Sequence, residues 1–220
     1  MMRVCLKAHI GLAVVLSLAF AVGCAGTGSI LSIEKADNPG PVPAGSSWVQ
    51  ERRDSGSFGS GTLRQTWKSL GEQTWQGRKV YAYAYDNPEG TRLSDVQSLK
   101  LVAYVKGTSP LVTYDPPVGW DYPLYVGKNQ TQTYQMTLHE SGQSLNFQGT
   151  FSVEAKEEIK VPAGTFKVFR IVFSSPGTNE IYWWSPELGI NVKYKSVRTE
   201  EHYAGPGVRE TELISYDIKR

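Results

Sequence analysis

The chain has 220 residues, with 23 Lys or Arg against 21 Asp or Glu, so its formal net charge is only +2. Hydrophobic residues make up 40 % and aromatic residues 11 %, beside 22 glycines, 12 prolines and two cysteines. This balance excludes a disulfide scaffold, a charged disordered chain and a strongly basic nucleic-acid binder.

Arg3 and Lys7 precede an apolar run from Ile10 to Val22 that is too short to span a bilayer and ends in small residues, the layout of a signal peptide. Ala21-Val22-Gly23-Cys24 resembles a bacterial lipobox, in which the cysteine thiol takes a diacylglycerol and further acylation follows. Ala21 departs from the leucine most often found there, which leaves ordinary secretion as the alternative. Ala25 after the cysteine, rather than Asp, resembles sorting to the outer membrane. The expectation is a periplasmic protein held to the membrane by its N-terminal lipid at Cys24. Removing residues 1–23 takes away Arg3 and Lys7, so 21 basic residues meet 21 acidic ones. The mature chain is neutral and no nucleic-acid partner is expected. Cys5 leaves as well, so no intramolecular disulfide can form and the fold must hold by its core.

Residues 24–47 carry Gly, Ser and Pro and few large apolar side chains, with Asn38-Pro39-Gly40-Pro41-Val42-Pro43 in the middle. They read as a flexible tether of about 25 Å average span. Residues 48–220 read as one domain. Trp48 to Asp54 pairs with Leu63 to Leu70 across a Gly-Ser loop that lacks the lysine and helix of a phosphate cradle. Gly71 to Gly77 is a turn or short strand. Val80 to Tyr85 alternates Val80, Ala82 and Ala84 with Tyr81, Tyr83 and Tyr85, a ladder of phenols opposite small side chains. Leu99 to Lys106 is a strand, Gly107 to Lys128 a long proline-rich irregular stretch, and Thr131 to His139 a polar strand. Leu145 to Lys156 has period two, with Gly149 on its inner face as a candidate bend or bulge.

After the Val161-Pro162-Ala163-Gly164 turn, Thr165 to Phe173 sends Phe166, Val168 and Val172 one way, with Arg170 between them, and Phe169, Ile171 and Phe173 the other, so both faces are buried. Ile181 to Trp184, Ile190 to Lys195 and Val208 to Ile218 complete about ten strands, with no stretch of helical period. The fold class is all-β: an antiparallel meander curled into a barrel or half-barrel, with a β-sandwich as the alternative. The cassette of VPAGTF, then YWW, then SPELG, together with Pro123-Leu124-Tyr125-Val126-Gly127-Lys128, resembles families of uncharacterised exported bacterial β proteins. The resemblance implies a fold and a compartment, and no activity or catalytic residues.

No chemistry is assigned. His139 and His202 belong to no two-histidine ligand motif, no G-x-S-x-G elbow occurs, and neither a metal nor a cofactor is expected. Asp115, Asp121, Glu180 and Glu187 lie in or near aromatic turns and leave a carboxylate-pair glycoside hydrolase as a remote alternative. The feature that leans towards function is aromatic: Tyr81, Tyr83, Tyr85, Trp120, Tyr182, Trp183 and Trp184 are the candidate ligand-binding residues, on a pocket shared by the phenol ladder and the Ile181 to Trp184 strand, with room spared by Ala82 and Ala84. The expectation is a non-enzymatic module for an apolar or envelope-derived ligand. The alternative is an assembly factor that offers a sheet edge or loop to an envelope protein. Cys24→Ser should abolish acylation and release the mature protein from membrane fractions. Sedimentation of the variant with membranes after a high-salt wash would show that something other than the lipid holds it.

Overall fold

The computed structural model describes residues 34–219; the expected signal peptide and Cys24 lie outside the described residues. Twelve strands make the fold: β1 (Ser47–Gly56), β2 (Gly61–Trp75), β3 (Arg78–Tyr85), β4 (Gly90–Asp95), β5 (Leu101–Lys106), β6 (Ser109–Val118), β7 (Asn129–Leu138), β8 (Gln143–Val161), β9 (Gly164–Ser175), β10 (Thr178–Ser185), β11 (Ile190–Arg198) and β12 (Gly207–Asp217). Each strand pairs antiparallel with the next, and β12 pairs with β1 from Ser47↔Asp217 to Gly56↔Gly207, so the sheet is a closed up-and-down barrel. The half-barrel and sandwich alternatives are not formed. Closure leaves ladder edges only where β2 and the β8–β9 hairpin run past their neighbours, which narrows the sheet edge, one of the two surfaces, edge or loop, that the assembly-factor reading offers.

Two strands escaped the sequence reading. β4 is short and its Thr-Arg-Leu-Ser run carries little apolar signal. β6 holds three prolines, which argue against a strand unless the ladder tolerates missing donors. Its pairing with β5 shifts register twice, which is how it accommodates them. The irregular stretch is therefore only 119–128. Gly71 to Gly77 is likewise mostly strand: β2 runs on to Trp75 through a register shift at Ser69/Gly71. The true turn there is Gln76-Gly77, both at positive φ (49° and 77°), the type I′ geometry that matches the twist of a tight hairpin. The β11 alternation is interrupted opposite Trp183/Trp184, where the register shifts by a residue. Gly149 marks no bulge; its pairing with Gln132 is regular and the β8 shift falls at Val153/Ala155. A Cβ at Gly149 would stand 2.2 Å from the Phe173 ring, so the glycine makes room for that ring.

The expected tether is also shorter than residues 24–47. Ala36 and Leu124 exchange backbone hydrogen bonds of 2.9 and 2.8 Å, and the Ser69 hydroxyl donates to the Val42 carbonyl at 2.7 Å. Val42 and Ser46 are buried, and the Lys219 amide donates to the Ser46 hydroxyl. Residues 36–46 thus belong to the barrel, at the end where β1 begins and β12 finishes. We call this the closed end. The tip of the β8–β9 hairpin lies here too: the Ala163 amide donates to the Leu213 carbonyl, and Phe166 meets Tyr216 edge-on.

β9 is buried on both faces, with Val168 at 0 % and Phe169 at 1 % exposure, while Lys167 is exposed. Phe169→Ala should cost about 3–5 kcal/mol by leaving a cavity, and Lys167→Ala should cost little. Urea midpoints will tell: equal values for the two variants would contradict the burial of this strand.

Candidate functional site

Following the registry around the ring assigns every strand an inner face. Tyr182 stands opposite Tyr194 and Ile171, Tyr194 opposite Thr211, Thr211 opposite Arg52, Trp67 opposite Trp48 and Tyr85, Tyr83 opposite Arg92, and Arg92 opposite Tyr104. Tyr104 in turn faces Val112, and Tyr114 faces Met136. Electrostatic coupling crosses the barrel between these residues: Glu180 on β10 acts on Tyr104, Tyr114 and Tyr134, on β5, β6 and β7. They share one interior.

Eight strands give a barrel that side chains just fill, and the diameter grows with strand number, so a twelve-stranded barrel needs more material inside. At the closed end the β6–β7 loop supplies it. Trp120 packs at 5.3 Å from Tyr182 and 6.1 Å from Phe151, Tyr122 at 5.7 Å from Trp184, and Leu124 is wholly buried among Phe169, Ile171 and Phe173. Inner-face glutamines fasten the loop. Gln132 donates to the Pro117 carbonyl and accepts from the Gly119 amide, and Gln130 accepts from the Asp121 amide. Lys128 closes it by donating to the carbonyls of Asp121 and Pro123.

The other half of the interior is polar. The Glu180 carboxylate accepts hydrogen bonds from the hydroxyls of Tyr182, Tyr194 (2.6 Å) and Ser196 (3.3 Å). Asp54 receives Arg209 bidentately at 2.8 and 2.9 Å, with Arg52 Nε 3.0 Å away. Phe58, from the β1–β2 turn, lies under the guanidiniums of Arg198 and Arg209 at 3.6 and 4.4 Å. Beside this rim a pocket of about 220 Å³ opens between Leu145, Phe147, Pro176 and the β11–β12 loop at His202 and Tyr203. We call this the polar end.

Tyr104, Tyr114, Tyr182 and Tyr194 are deeply surrounded by protein, yet each keeps part of its surface uncovered. Solvent therefore reaches part of each of these rings. Burial raises the phenol pKa of all four, and the Glu180 charge adds to the rise in each. Burial likewise pushes Tyr85 and Tyr122 up to about 12. Several buried polar atoms have no partner, among them Trp67 Nε1, Ser94 Oγ and Asn191 Oδ1.

Of the seven predicted aromatic residues, the structure gathers six. Tyr81, Tyr83, Tyr85, Tyr182 and Trp184 lie on the inner face and Trp120 packs against it. Trp183 points the opposite way, donates Nε1–H to Glu157 at 2.9 Å and lies beneath Lys193. The Ala82 face spares no room. Ala82 packs tightly with Val80, Leu93, Ala103 and Val105 in a separate cluster on the outer face of β3–β5. The four weighed acids do not converge: Glu180 is internal, Asp115 is exposed, Asp121 pairs with Lys100, and Glu187 sits in the β10–β11 turn at the closed end. Among the described residues no group of His, Cys, Asp and Glu could hold a metal. The sequence reading missed Arg52, Arg92, Arg198 and Arg209. The signal for them was parity: Arg52 shares its face with Trp48 and Gln50, and Arg92 shares its face with Gly90 and Ser94.

No protein-family model matches the chain, and no curated protein matches it. Solved structures similar to it include a candidate lipoprotein from Parabacteroides distasonis (14 % identity, TM-score 0.45, covering 84 % of this chain and 100 % of the other). A candidate exported protein with YmcC-like fold from Bacteroides fragilis is similar at 9 % identity and TM-score 0.46, over 80 % and 97 % of the two chains. The hypothetical lipoprotein YmcC from Escherichia coli follows at 12 % and 0.42, over 77 % and 83 %. At these scores they assign the chain neither a family nor an activity.

The raised phenols make a test of the interior in alkali. Because the fold favours the neutral phenol, their contribution to stability is complete below the ordinary tyrosine value of 10 and is lost as pH rises through the folded values, about 12 for Tyr85 and Tyr122. Near-ultraviolet phenolate absorbance should therefore lag and then rise together with loss of the β signal in circular dichroism. Full ionisation of all 12 tyrosines with the β signal intact would mean that the interior is not closed to hydroxide.

Proposed function

We propose that the protein is a lipid-anchored bacterial envelope protein that works as a non-catalytic binding module, holding a small ligand inside the polar half of its barrel. The observation that carries this reading is the inner face itself, where deeply set tyrosines keep uncovered surface around Glu180 in a ring that also holds unpartnered Trp67 and Ser94. Buried polar groups without partners are costly, and a ligand or water that meets them relieves that cost. The closed end supports the same reading. There an inserted loop fills the interior, and at the polar end a pocket of about 220 Å³ lies beside Phe147 and Tyr203 instead. The ligand differs in character from the apolar one expected from the aromatic content alone, since hydroxyl, carboxylate and guanidinium groups line the site. The assembly alternative finds less support, because the large exposed apolar residues Leu70, Leu111, Val126, Tyr203 and Tyr216 belong to separate elements.

Protein purified from its own membranes should carry a bound mass in native mass spectrometry. Stripped protein should change its tryptophan emission when the released compound is returned, since Trp67 and Trp120 face the interior. Phe147→Ala should weaken that binding by about 1–2 kcal/mol, as expected for an aromatic contact at a pocket mouth. Recovery without bound mass, and with no response to envelope extracts, would end the binding reading.

A further inference from the structure

The charged groups on the inner strand faces do not balance. Four arginines, Arg52, Arg92, Arg198 and Arg209, stand against two carboxylates, Asp54 and Glu180. Arg52 and Arg209 share Asp54. Glu180 is taken up by hydroxyls, and Arg198 hydrogen-bonds only to Ser57 while lying on Phe58. Arg92 is the outlying case. It sits on the inner face in the field of the Tyr83, Tyr104 and Tyr122 phenols, only partly exposed, and makes no hydrogen bond or ion pair among the described residues. A nearby donor is also unspent: Ser94, two residues along β4 on the same face and 2 % exposed, has an unpartnered hydroxyl. A guanidinium removed from water with no counter-charge is held at a cost that a bound anion reverses, and its planar fork suits phosphate or carboxylate.

Resting on the binding reading above, we infer that the ligand of the barrel interior is an anion whose phosphate or carboxylate group is received by Arg92. The aromatic surfaces of Tyr104 and Tyr114 are placed to contact the body that carries the charge.

The test uses the full chain in detergent, stripped of bound compounds. Inorganic phosphate should raise the thermal midpoint above that in chloride at matched ionic strength, as mass action requires of anything that binds the folded state alone. In fluorescence titrations glucose 6-phosphate should bind at least about tenfold more tightly than glucose, the difference a charge-assisted contact makes. Arg92→Gln should abolish both effects, and Arg92→Lys, which keeps the charge but loses the fork, should retain part of them. A response to phosphatidylglycerol and to phosphate, with none to glucose 6-phosphate, would support the proposal with a lipid headgroup as the source of the anion. Equal binding of glucose and glucose 6-phosphate, or an unchanged phosphate response in folded Arg92→Gln, would overturn the anion while leaving interior binding in place. Should Arg92→Gln fail to fold, the wild-type comparison of phosphate with chloride decides, and no difference there overturns the proposal. Absence of any bound mass and of any response to all probes would overturn the anion and the binding reading together.

Discussion

Pairing of the first strand with the last is the constraint on which the rest of the molecule depends. With β12 seated on β1 the sheet closes into a ring, and every strand acquires one face turned to a shared interior. Where the two strands meet, Asp54 takes Arg209 in a two-pronged contact directly across the seam. The pair does two things at once. It ties the closing strands together and it commits charge to the interior.

Closure also explains why the two ends of the interior differ. Residues inside a wide barrel either converge or leave space, and the chain uses both solutions. Trp120, Tyr122 and Leu124 bring one end to the density of an ordinary core, assisted by residues 36–46 and the β8–β9 tip. Towards the other end Tyr182 and Tyr194 meet ring to ring and through Glu180, and the tyrosines around them keep part of their surface uncovered. A filled half gives the barrel its stability, which lets the other half carry costly groups such as a guanidinium without a counter-ion.

Much of the architecture was legible in the sequence because a half-buried strand writes its burial with period two. Val168 and Phe169 in β9, and the tyrosines of β3, were read with the correct faces. β4 and β6 were not, for a physical reason. In β4 the inner residue is Arg92 and the outer one Leu93, so the usual sign of burial is inverted. In β6 the prolines suggest a loop, and only the tertiary ladder overrides them. The site was harder to read. Aromatic residues pointed to it, but parity within Tyr182-Trp183-Trp184 is decided by register, which divides neighbours between the two faces. Arginines entering the interior look like surface residues in sequence, because nothing local tells a chain which of its polar faces will be enclosed. The small face of Ala82 was taken for spare volume, and it is small because Leu93 and Ala103 press against it.

The seam carries a further consequence for how the molecule comes into being. Asp54 and Arg209 are 155 residues apart in sequence, so this contact joins nearly opposite ends of the folded chain. Hairpins β2 to β11 can assemble in order from neighbours, but β1 has only half its ladder until β12 arrives. Loop closure of that span is slow and raises the contact order of the whole fold. Until then the open sheet presents two raw edges and a row of unsatisfied arginines, a state prone to pair with other chains. The ring can be drawn shut only after the final strand of the chain has been made.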